Sequence, residues 1–132
     1  MLSLGAMDMV NFGALETVPE QYRHRKLHVH NSQITLMRTN VEENRKIGQW
    51  MANKLNRSTA PLRVLIPEGG LSLLDQPGGV FYDPVANQAL FNSLREHLHI
   101  TEERMVESYP LTINSPEFVD KLLEAFHRLV RR

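Results

Sequence analysis

No cysteine occurs among the 132 residues, which excludes disulfides and thiolate metal sites and fits a reducing compartment. An excess of either charge is also missing. Fifteen Lys and Arg balance fifteen Asp and Glu, so the composition offers nucleic acid or anionic lipid no broad basic surface. The local exceptions are Arg23-His24-Arg25-Lys26 and the tail residues Arg128, Arg131 and Arg132. No apolar run approaches the length of a membrane span, and the opening MLSLGAMDMVNFGALE lacks the basic start and long apolar core of a signal peptide. A cytoplasmic protein with neither nucleic-acid nor membrane partners is expected. Nothing repeats at a fixed period. With 42% apolar residues, residues 1–132 suffice for one domain with one core.

Glycine is scarce but concentrated: four of the seven lie in IPEGGLSLLDQPGGVFYDP, Ile66 to Pro84. Around that loop the chain alternates strand and helix patterns. Lys26 to His30 (KLHVH) is a short β-rich run. After a polar connection, Asn40 with Glu43 three residues on forms a capping box, and Ile47, Trp50, Met51 and Leu55 follow at helical spacing as a buried face. Leu62 to Ile66 reads as a strand covered on both faces. Asp83 and Ser115 cap two further helices, each with Pro at its first position. Leu90, Phe91, Leu94 and Leu98 form the buried side of one, and Val119, Leu122, Leu123, Phe126 and Val130 the apolar stripe of the other. Met105 to Tyr109 is a weaker strand between them. The spacing predicts β-α-β-α-β-α over 26–132, preceded by an N-terminal loop segment, 1–25, whose Met1-Leu2-Ser3 is the stub of one more strand. Such alternation implies an α/β fold: a three-layer, Rossmann-like half-domain with a parallel sheet of three to four strands and helices on both faces.

In open α/β sheets, ligands bind beyond the carboxyl ends of the strands. The segments that topology sends there are Gly5 to Gly13, His30-Asn31 with Arg38-Thr39, Glu68 to Gly79, and Asn114. Gly69-Gly70 after a strand lets backbone N–H groups turn towards an anion, or simply makes a tight turn. Asp8 and Asn11 are placed to hold a ribose hydroxyl or a magnesium-bound water, or else to bond their own loop. Arg38, just before a helix start, suits a phosphate as well as it suits a surface pairing with Glu42. His28 and His30 share a strand face without a convincing third ligand, which favours a structural pair over zinc. No Walker pattern, G-x-G-x-x-G, nucleophile elbow or Ser-His-Asp order appears, and no catalytic residue is assigned. Glu68 and Asp75 remain acid and base candidates whose separation depends on loop shape.

Taken together, GAMDMVNFG, KLHVHNSQITLMRT, VLIPEGGLSLLDQPGGVFYDP and TINSPEF resemble the tobamovirus-multiplication-inhibitor-like family. These are bacterial and fungal relatives of the N-terminal domain of a tomato virus-resistance protein, named for an ATP-binding domain. The likeness runs from about Leu4 to the C-terminus and corresponds to the second of two Rossmann-like lobes. It implies nucleotide binding, with ATP and magnesium as the expected ligand. The residues matching the family-like motifs are Gly5, Ala6, Asp8, Asn11, His30, Asn31, Arg38, Thr39, Glu68, Gly69, Gly70, Ser72, Asp75 and Asn114. Met7 stands where Leu is usual and Thr112 where His is common. The alternative to a ligand site is an interaction module that pairs with itself or with a separate first lobe. Met1, Leu2, Leu4, Met7, Met9, Val10 and Phe12 are the apolar residues expected at the face of a homodimer.

Overall fold

Each of the three expected helices begins where its cap was legible. In the computed structural model, which describes residues 1–130, α1 spans Val41–Leu55, α2 Pro84–His97 and α3 Pro116–Val130. Arg131 and Arg132 of the basic tail lie outside the described residues. The capping box is closed in both directions: Glu43 N–H donates to Asn40 Oδ1 and Asn40 N–H to Glu43 Oε2, both at 2.8 Å. Asp83 accepts from Ala86 N–H at 3.0 Å, and Ser115 Oγ from Phe118 N–H at 3.2 Å. These bonds satisfy N–H groups that a helix start otherwise leaves open.

The strands form two sheets. The parallel one has order β1-β5-β6, with β1 Leu2–Ser3, β5 Leu62–Pro67 and β6 Arg104–Tyr109, so the stub strand is real and pairs with Val64 and Leu65. Its two faces bury different clusters. Leu62, Val64 and Ile66 pack with Met51, Ala52, Leu90, Phe91, Leu94 and Leu98 from α1 and α2; Leu65 packs with Phe118 and Ala125 of α3. The domain is thus α/β, with helices on both faces of a three-stranded parallel sheet, as a Rossmann-like half-domain requires.

KLHVH is not in that sheet. Leu27–Asn31 is β3, the antiparallel neighbour of β4, Ile34–Arg38, and β4 pairs on its other side with β2, Met9–Phe12. The stretch expected to be a polar connection therefore holds the most buried strand of a second sheet. Its signal was the β-branched Ile34-Thr35 after a tight turn in which Asn31 Oδ1 accepts from Gln33 N–H at 2.8 Å, the mark of an Asx turn.

Two helix faces also differ from expectation. Trp50 is 62% exposed, with the Lys54 ammonium over its ring. The inward face of α1 is Asn44, Gly48, Met51 and Ala52, because α1 packs on α2 so closely that a Cβ at Gly48 would lie 2.7 Å from the Leu90 carbonyl oxygen. On α3, Phe118 and Ala125 are buried, while Val119, Leu123, Phe126 and Val130 are exposed. Of the N-terminal apolar residues, Leu4 is fully buried and Leu2 and Met7 pack against the core, while Met1 and Val10 are exposed.

Candidate functional site

The carboxyl ends of β1, β5 and β6 do converge. After β1, Ala6 takes a left-handed turn, φ 59°, and its N–H donates to the Leu71 carbonyl at 3.0 Å. A Cβ at Gly5 would meet the Ile113 side-chain end at 2.7 Å, so the loops beyond β1 and β6 lie in close contact here. After β5, Glu68 N–H donates to Tyr109, Gly69 N–H to Leu111 and Gly70 N–H to Pro67. The Gly69-Gly70 amides therefore continue the sheet and close a turn, and are not turned towards an anion. Gly70 has φ 149°, and a Cβ there would fall 1.9 Å from the Asp75 carbonyl oxygen. The glycines serve the folding of the loop onto itself.

At the centre of that loop sits the Asp75 carboxylate, fully buried. Its Oδ2 accepts from Leu71 N–H at 3.0 Å and Asn87 Nδ2 at 2.7 Å, and its Oδ1 from Asp83 N–H and Arg38 Nη2, both at 3.3 Å. Arg38 is 4% exposed. Its Nε donates to the Phe81 carbonyl at 2.7 Å, Nη1 to Thr39 Oγ1 at 3.0 Å and Nη2 to Asn87 Oδ1 at 2.6 Å. All three guanidinium nitrogens are thus engaged, which corrects the expected phosphate contact. The Arg38 fork fastens the end of β4 to the 68–83 loop and to α2, a use suited to its planar set of donors. Arg25, from the basic cluster, is likewise internal: it grips Glu43 through two bonds of 2.9 and 2.7 Å.

Asp8 completes the cluster. It is fully buried; Oδ2 accepts from Ser72 Oγ at 2.8 Å, and Oδ1 has no partner. Burial pushes its carboxyl above the ordinary range, and the Ser72 bond only partly opposes this, because desolvation penalises the charged form. Thr39 joins Asp8 to α1: its N–H donates to the Asp8 carbonyl at 2.9 Å, and Asn44 Nδ2 donates to Thr39 Oγ1 at 2.9 Å. Asn44 Oδ1 is the second buried oxygen here without a donor. Ser72 Oγ also accepts from Leu74 and Asp75 N–H, so it is a turn-making serine whose own proton is given to the Asp8 carboxyl.

Of the expected site residues, Asp8, Arg38, Thr39, Ser72 and Asp75 meet in this network, and Gly5, Ala6, Gly69 and Gly70 frame it. The others stand apart. Asn11 is exposed on β2, and His30 and Asn31 are exposed at the β3–β4 hairpin. Asn114 is exposed, and Glu68 pairs at 2.7 Å with Arg95, so no Glu68–Asp75 acid–base couple forms. Asn44 and Asn87 were missed. Their signal was an amide on the apolar face of a helix, three residues before Ile47 and Leu90, where only a satisfied polar group is tolerated. His28 lies edge-on to Phe81 at 6.2 Å, and among the described residues no group of three or more potential metal ligands is gathered.

Fold and cluster together define a Rossmann-like α/β lobe whose polar centre lies at the carboxyl edge of its parallel sheet. The chain belongs to the UPF0261 family: the model described as "Uncharacterised protein family (UPF0261) C-terminal domain" matches residues 1–130. It is 50% identical over 124 residues to a UPF0261 protein of Rhizobium meliloti, covering 94% of this chain and 31% of that one. Against the ToMV resistance protein Tm-1 of Solanum lycopersicum it is 44% identical over 126 residues, which is 96% of this chain and 17% of the relative. The ToMV susceptible protein tm-1 gives the same identity and coverage. The chain thus spans a third or less of these relatives, and the C-terminal model agrees with the second-lobe reading. No described helix is long and apolar enough to cross a membrane.

Proposed function

We propose that this domain is one lobe of a nucleotide-binding fold and that it meets the hydroxyl-bearing part of the ligand, leaving the phosphates to another segment. The observation that carries the reading is the Asp8 carboxylate oxygen, buried without a donor where the loops after β1 and β5 join. Buried polar atoms are nearly always bonded, and an exception calls for a water, an ion or a ligand. Both orphan oxygens of the cluster, on Asp8 and Asn44, are acceptors, so what they lack is a donor such as a ribose hydroxyl. A triphosphate, which brings acceptors, suits them poorly, and the Arg38 and Gly69-Gly70 donors are already spent. ATP is the nucleotide suggested by the family resemblance, an argument by analogy. Magnesium would enter with its phosphates.

Calorimetry of the chain with adenosine and with magnesium ATP tests this. The expected result is comparable affinity for both and loss of both in Asp8→Asn. Tighter binding of ATP by a factor of ten or more would shift the site to the phosphates and overturn the assignment. No heat with either ligand at millimolar concentration would overturn nucleotide binding by this lobe.

A further inference from the structure

The hydrogen-bond directions around Asp8 are fixed by its neighbours. Ser72 Oγ accepts from the Leu74 and Asp75 N–H groups, both at 3.1 Å, which fills the lone pairs of a hydroxyl oxygen. Its own hydrogen therefore goes to Asp8 Oδ2, 2.8 Å away. With Oδ2 held as an acceptor, a proton on this carboxyl sits on Oδ1, the oxygen buried without a partner. Such a proton has a physical cause. The carboxyl is fully buried, its one bonded oxygen meets a neutral hydroxyl, and a single such donor returns less than the hydration an anion gives up. Burial is the largest influence on its ionisation and holds the carboxyl above its ordinary range. The charged groups that bear on it do less: Asp75 of the 68–83 loop opposes the anion, and Arg38 of β4 favours it but is itself paired with Asp75. Ser72, Thr39 and Asn44, the other members of the cluster around Asp8, carry no charge.

Taking Asp8 as the acceptor of the ligand's hydroxyl, the reading on which this rests, we propose that the Asp8 proton and the hydroxyl hydrogen compete for the same oxygen, Oδ1, so that binding expels a proton and weakens in acid. The Oδ1–H bond breaks, its proton passes to the buffer, and the electron pair left on Oδ1 accepts the ligand's O–H. The carboxylate then has a donor on each oxygen, Ser72 on Oδ2 and the ligand on Oδ1. Hydrogen bonds to a charged group are roughly twice as strong as those between neutral ones, which offsets the cost of ionising a buried acid. The sign follows from the competition. Below the raised carboxyl value the protonated form dominates, and affinity falls about tenfold per pH unit, the effect of displacing one proton. Above it, affinity is level. The opposite arrangement, in which a neutral Asp8 donates from Oδ1 to a ligand oxygen, keeps the proton and weakens binding as pH rises.

Calorimetry of the intact chain with adenosine, which unlike ATP has no phosphate to titrate, tests the competition from about pH 4.5 to pH 8, a span reaching from the ordinary carboxylate range to that of strongly buried carboxyls. Repeating each titration in two buffers of different ionisation enthalpy counts the protons exchanged. The expected result is release of up to one proton per bound adenosine, largest at the acid end and absent at the alkaline end. The dissociation constant should become level at the same pH at which the Asp8 carboxyl carbon titrates in NMR spectra of the free chain. Adenosine bound with no proton exchange and unchanged affinity throughout would overturn the competition and leave the hydroxyl-binding reading standing. Affinity that improves towards acid would also overturn it, by making Asp8 a donor. No heat at any pH would overturn nucleotide binding by this lobe, and the competition with it.

Discussion

Replacing Arg38 by Met should destabilise the domain severely while leaving ligand contacts to other groups. The substitution keeps much of the side-chain stem and removes the fork. The Phe81 carbonyl then loses a donor at 2.7 Å and Asn87 Oδ1 one at 2.6 Å, and the fully buried Asp75 carboxylate loses its cation. Removing one member of a buried ion pair costs about 3–5 kcal/mol, mostly through the charge left behind, against a total stability of roughly 5–15 kcal/mol for a domain of ordinary size. Urea unfolding followed by circular dichroism measures the loss directly. If the charge left on Asp75 is the cause, then Arg38→Met combined with Asp75→Asn should recover about 0.5–3 kcal/mol of the sum of the single losses, the range seen for residues in one network. A cost below ~1 kcal/mol for Arg38→Met, or simple additivity of the pair, would refute the claim that this arginine is a structural fastener.

Gly70→Ala should cost at least ~1–3 kcal/mol, the usual strain of an L-residue in so sparsely populated a conformation, with further loss from the approach of its Cβ to the Asp75 carbonyl; thermal unfolding unchanged from wild type would contradict the packing role of that glycine. Asp8 gives a pH test. Its folded carboxyl keeps a proton above the ordinary value of 3.8, so the folded state binds more protons and stability is highest below that value, falling as pH rises through the raised one. Asp8→Asn should remove this fall, and its unfolding free energy should gain on that of wild type from acid to neutral pH; parallel curves for the two proteins would defeat the argument.

Much of the secondary structure was legible because its causes are local. The capping box at Asn40 and Glu43 and the Asp83-Pro84 and Ser115-Pro116 starts each act within one turn, so a few residues suffice to announce them. The buried run at Leu62–Ile66 was equally plain, since a strand covered on both faces has no polar alternation to confuse it. Of the site, the sequence marked five members of the buried cluster by their place in carboxyl-edge loops, but it marked them for contact with a ligand. Four of the five are instead satisfied by one another and by the backbone, and Asp8 alone keeps an unpaired oxygen.

What the sequence determined by itself was therefore the class of fold, the helix starts, and the edge at which the polar residues gather. Tertiary structure decided the rest, because each remaining question turned on which distant group lay opposite. Whether Arg38 reached outward depended on Asp75, Phe81 and Asn87, between 37 and 49 residues away. Whether Leu27–Asn31 joined the parallel sheet depended on β4 competing for its edge. Whether the α3 stripe was core depended on Phe118 and Ala125 taking the place against Leu65 instead. Periodicity fixes which residues share a face; only the packed neighbours determine whether that face meets the core or solvent.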